Sequence, residues 1–96
     1  MSETRNAYVN KIKAKLDEWN AEIDKLEIKS RKKESEMRAA YEERISDLKE
    51  KRKSAGQELE KLQAAGKDAW EDLKAGVENA AKSLSDAIQS AKSKFK

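Results

Sequence analysis

Apolar residues spaced three and four apart run from Val9 to Phe95 in a chain that contains no proline. That spacing is the signature of amphipathic helix, and without proline nothing forces a kink. A helix with a single apolar stripe must bury it against another helix, a partner protein or a membrane surface. The pattern therefore constrains the chain to an all-α fold whose function is expected to rest on association rather than on a catalytic pocket.

Composition points the same way. Ala, Glu, Lys, Leu and Arg make up 56 of 96 residues and 43% of the chain is charged. Such a composition marks coiled coils and long helices. The net charge of +3 is dispersed, since residues 1–33 carry 9 basic and 6 acidic side chains, 34–66 carry 7 and 8, and 67–96 carry 6 and 5. Interspersed acids prevent Lys and Arg from neutralising several phosphates together, so nucleic acid is not an expected partner.

The best seam lies at Val9, Ile12, Leu16, Trp19, Ile23 and Leu26, which alternate steps of three and four as the a and d positions of a heptad. Ser30 and Lys33 hold the next two core slots, inside the charged run Lys29 to Glu36. Lys, Arg and Glu are good helix formers and no Gly or Pro intervenes, which favours a continuous helix through this polar notch over a turn. The stripe resumes at Met37, Tyr41, Ile45 and Leu48 and continues through Arg52, Ala55, Leu59 and Leu62. Two consecutive steps of four make a stutter, which locally unwinds a left-handed supercoil. The i,i+4 pairs Glu27 to Arg31, Glu34 to Arg38 and Asp47 to Lys51 reinforce helix along the stretch.

At Ala64 to Glu71 the signals change: Gly66 suits a C-terminal cap, and Asp68 with Glu71 resembles a capping box opening a new helix. Beyond it the repeat becomes eleven residues, placing Leu73, Leu84 and Phe95 in equivalent slots. Trp70, Leu73, Val77, Leu84, Ile88 and Phe95 then form a nearly straight stripe.

These readings predict one helical domain over 1–96: a charged coiled-coil arm over 4–64, a turn over 65–68, and a shorter amphipathic helix over 69–95 folded back as a hairpin. The arms do not match, because at about 1.5 Å per residue the first is roughly 90 Å long and the second about 40 Å. The seam from Val9 to Leu26 would be left bare, and would serve as an interface with another copy or with a helical partner. In a parallel dimer Glu22 would face Glu27 of its mate, so antiparallel or heteromeric pairing is preferred. A turn at Ser30 to Lys33 gives the alternative, three arms over 4–29, 34–63 and 68–95 closing as an up-down-up bundle.

The chain has neither histidine nor cysteine. That removes the usual general base at neutral pH, the usual zinc ligands and the thiolate nucleophile. The acidic pairs Asp17-Glu18, Glu42-Glu43 and Glu71-Asp72 sit off the stripe, and adjacent helical residues point apart, so they read as solvated surface. The three glycines are isolated and form no phosphate loop. No enzyme activity, metal, cofactor or small-molecule substrate is expected. The stretch at Met1 to Asn6 leads into no apolar signal region and no segment approaches the length of a transmembrane span, so the expected location is the cytoplasm. Reversible membrane-surface binding by the C-terminal helix, with Lys67, Lys74 and Lys92 beside its stripe, is the second functional class.

Ala69-Trp70, Leu73, Gly76, Ala80, Leu84, Ala91 and Lys94-Phe95, following a charged coiled-coil stretch, resemble small bacterial coiled-coil proteins of unassigned function, some of them stress-associated. The resemblance covers the last third of the chain. It implies a bacterial, cytosolic, helical protein linked to stress, and it transfers no catalytic residue.

Overall fold

The computed structural model describes residues 3–95, which form α1 (Glu3–Arg31), α2 (Ser35–Ala64) and α3 (Trp70–Lys94). Among the described residues every element is helical. At about 1.5 Å per residue the helices measure roughly 43, 45 and 37 Å, so all three fit within the long dimension of a molecule 51 × 18 × 18 Å. α2 packs extensively on both neighbours, while α1 and α3 touch each other more sparingly.

The helix that composition favours through the polar notch is interrupted, since α1 ends at Arg31 and α2 begins at Ser35. Ser30 and Lys33 bring no large apolar group to the seam, so nothing in the core rewards continuation there. Turning back covers the α1 seam with the other helices of the same chain. Three arms of comparable length packed together are compatible with the three-arm alternative.

Two apolar clusters fill the interior. One gathers Ile23 and Leu26 of α1, Tyr41, Ile45, Leu48 and Ala55 of α2, and Leu84, Ile88 and Ala91 of α3. The other joins Val9, Ile12, Leu59, Leu62, Trp70 and Val77 at the opposite end, and Leu16 packs against both. Ala81 and Ala91 are buried within the third stripe, where their small side chains let α3 approach its neighbours.

Aromatic contacts mark both ends. Tyr41 and Phe95 stack with centroids 3.7 Å apart, and the Tyr41 hydroxyl donates to the Phe95 carbonyl oxygen at 3.0 Å; the Lys29 ammonium donates to the same oxygen. At the other end Tyr8 meets Trp70 edge to face, with the Arg5 guanidinium 5.0 Å from the Trp70 ring centroid.

The link before α3 uses neither expected cap. No described glycine takes a positive φ, so Gly66 is not a left-handed cap. The N-cap of α3 is Ala69 without a side-chain hydrogen bond, one residue past Asp68, and the capping box is not formed. Backbone bonds do that work instead: the Ala65 N–H donates to the Leu62 carbonyl at 3.1 Å and the Ala69 N–H to that of Gly66 at 3.2 Å.

A Cβ added at Gly56 meets nothing within 4 Å, whereas one at Gly76 would come 2.9 Å from Glu58 Oε2, the far end of a flexible side chain. Gly56→Ala should raise unfolding free energy by about 0.5–1 kcal/mol in urea titration, through lower entropy of the unfolded chain. Gly76→Ala should stabilise by less, because Glu58 must move.

Candidate functional site

The helix periodicity that sets the stripes also decides which polar residues line the outer seam between α1 and α2. From α1 come Leu16, Asn20, Asp24, Glu27 and Ser30, one turn apart; from α2 come Ile45, Lys49, Arg52 and Gly56, among others. Together they line an open groove of about 1170 Å³. Its apolar floor is narrow and its rims carry both signs of charge, Asp24, Glu27, Glu42 and Glu50 against Arg31, Lys49, Arg52 and Lys53.

Two polar atoms set the groove apart from an ordinary helix seam. Ser30 is only 2% exposed, and its Oγ has no hydrogen-bond partner; the Oδ1 of Asn20 is likewise buried and unpartnered. A buried hydroxyl or amide oxygen left without a partner costs about 1–3 kcal/mol. Both oxygens lie beneath the surface of the groove, closed to solvent.

Glu27 is the electrostatic centre of the rim. It pairs with Lys49 across the helices and with Arg31 at 3.8 Å one turn on. The hydrogen bond from Lys49 holds its carboxyl below the ordinary glutamate range; partial burial pushes the other way, and the charges of Lys49, Arg31 and Arg52 add to the lowering. On the α3 side, Lys92 pairs with Glu22 at 3.1 Å and Lys51 donates to Ser83 Oγ at 3.1 Å, so each inter-helix seam carries at least one polar tie. Burial pushes the Tyr8 hydroxyl above its ordinary pKa, and the charge of Glu78 and a long 3.5 Å hydrogen bond to it add to the rise.

The seam residues read from the sequence fall mainly inside. Val9, Ile12, Ile23, Leu26, Tyr41, Ile45, Leu48, Leu59, Leu62, Trp70, Val77, Leu84 and Ile88 are buried, and Leu16, Trp19, Leu73 and Phe95 are partly buried. Met37 is the exception, at 53% exposed beside the α1–α2 connection. The acidic pairs at 17–18, 42–43 and 71–72 are exposed. Among the described residues no three Asp or Glu side chains gather where a metal ion could be held, and no helix is long and apolar enough to cross a membrane. The groove was not legible in the sequence, although Ser30 in a core slot was its one visible sign.

No protein-family model matches this chain, and neither a curated protein nor a solved structure matches it.

Ser30→Ala should leave stability unchanged or raise it by about 1 kcal/mol in chemical denaturation, because it deletes an unpartnered polar group. A loss instead would show that Ser30 Oγ is satisfied within the fold. Because the Glu27 pKa is lowered by folding, its ionised form stabilises the fold above the unfolded pKa, and this contribution disappears as pH falls through the folded value. Urea titrations of wild type and Glu27→Gln should therefore differ at neutral pH and converge in acid, below the ordinary glutamate range.

Proposed function

We propose that the protein is a non-enzymatic helical interaction module that works by associating with another amphipathic helix along the α1–α2 seam. The observation that carries this reading is the groove itself. It has an apolar floor at Leu16 and Ile45 and rims of interleaved charge. A partner helix with an apolar stripe and alternating Glu and Lys flanks complements the floor and the rims. The apolar seam works from inside, as a closed three-helix bundle that holds α1 and α2 at the spacing the groove needs.

This reading is favoured over membrane-surface binding because the α3 stripe faces inward: Trp70, Val77, Leu84 and Ile88 are all buried. Insertion into a lipid interface would require α3 to leave the other helices. A cytoplasmic role in a bacterium, linked to stress, is the setting that the resemblance of the last third suggests.

The test is a titration of isotope-labelled protein with a synthetic amphipathic helical peptide of about 21 residues, carrying a Leu stripe and alternating Glu and Lys flanks. Amide shifts should be confined to Asn20, Asp24, Ile45, Lys49 and their neighbours. Gly56→Trp, which fills the groove from a position where an added Cβ meets nothing, should abolish them without lowering stability. Absence of shifts in the wild type, or equal binding by Gly56→Trp, contradicts the reading.

A further inference from the structure

We infer that this chain exchanges α1 with a second copy of itself, the connection at residues 32–34 straightening so that α1 and α2 become one helix. This rests on the reading that the protein acts by helix association, and it names a second copy as a partner and exchange of α1, outside the groove, as the mode.

The connection contains only Lys32, Lys33 and Glu34, all helix-tolerant residues, and no described residue has a positive φ. Helical bonding already reaches into it from both sides. The Lys32 N–H donates to the Lys29 carbonyl at 3.2 Å and the Lys33 N–H to that of Ser30 at 3.0 Å. The Arg38 N–H donates to the Glu34 carbonyl at 2.8 Å, the first i to i+4 bond of α2. Glu34 holds the break with ψ 161° and no side-chain cap hydrogen bond. Rotating it to the helical value near −42° therefore sacrifices no cap.

Exchange also keeps the interior intact. The α1 of the second copy would meet the same faces of α2 and α3, so Glu27 would pair with Lys49, Glu22 with Lys92 and Tyr8 with Trp70 between chains instead of within one. The product is a symmetric dimer in which two helices over 3–64, each about 93 Å long, run antiparallel with their midpoints side by side. That is the orientation the charge pattern prefers. It also answers a feature the closed form leaves unused. Met37, on the stripe one turn before Tyr41 but 53% exposed, would enter the seam where the two midpoints cross.

The discriminating variant is Ser35→Pro. Ser35 is the first residue of α2 and follows an extended Glu34, which is where proline is tolerated in the closed form. In a continuous helix the same proline clashes with the preceding turn. Wild type should give a growing dimer fraction when concentrated, warmed and cooled, read by sedimentation equilibrium. Ser35→Pro, with unchanged helicity, should weaken dimerisation by about a hundredfold or more.

Spin labels at Lys13→Cys and Gln57→Cys, both exposed and introduced into a cysteine-free chain, read the exchange directly when the protein is diluted with unlabelled copies. The intrachain distance should be short in the monomer and about 66 Å in the dimer. A dimer that keeps the short distance, or that forms equally with Ser35→Pro, overturns exchange while leaving helix association standing. A monomer at every concentration also overturns it, and the peptide titration then decides the association reading separately.

Discussion

Every helix of this protein carries one apolar stripe, and the whole structure follows from the requirement that each stripe be covered. No helix is hydrophobic enough to be buried all round, and none is polar enough to stand alone in water. Ile23, Leu48, Leu62, Leu84 and Val77 are all but fully enclosed, each by residues from the other helices. Burying such a side chain is worth about 1.5–3 kcal/mol, which in aggregate offsets the ordering of a chain with little else to hold it. The polar ties between helices, Glu27 to Lys49, Glu22 to Lys92 and Lys51 to Ser83, are partly exposed and add register more than energy.

The same requirement accounts for the break at residues 32–34. Local propensity there is for helix, and the chain turns only because the seam of α1 finds its complement on α2 and α3. A turn held by tertiary packing, without Gly, Pro or a side-chain cap, is also a turn that can be undone when an identical complement is offered by another copy. The groove and the connection thus express one physical situation seen from two sides. The groove shows what one chain leaves uncovered outside, and the connection shows how readily its arms could be shared.

Much of this was legible in the residues. The stripe spacing marks helix along the chain but runs α1 and α2 together over 4–64; of its eighteen seam positions thirteen are buried and four partly buried, Met37 alone being exposed. What local patterns could not supply was the competition between elements. Lys32, Lys33 and Glu34 are good helix formers and favour an uninterrupted helix over the polar notch, and only the cost of an uncovered seam outweighs them. Gly66 and Asp68 offered cap chemistry that the link between α2 and α3 does not use, because backbone bonds at Ala65 and Ala69 close it. Ala81 and Ala91 are core, but alanine carries too little hydrophobic signal to mark them in the pattern. The groove depends on which turn of α1 faces which turn of α2, a register that no single helix encodes.

The central claim is that the stripes are covered without loss of helix whether the chain is alone or paired. Circular dichroism on dilution from millimolar to sub-micromolar protein, with molar mass determined on the same samples, tests it most directly. The account predicts that helicity stays constant to the lowest concentration, where the mass is that of one chain. Helicity that falls as the mass falls would contradict it, and would mean that the seams from Val9 to Leu26 and beyond are covered only by association.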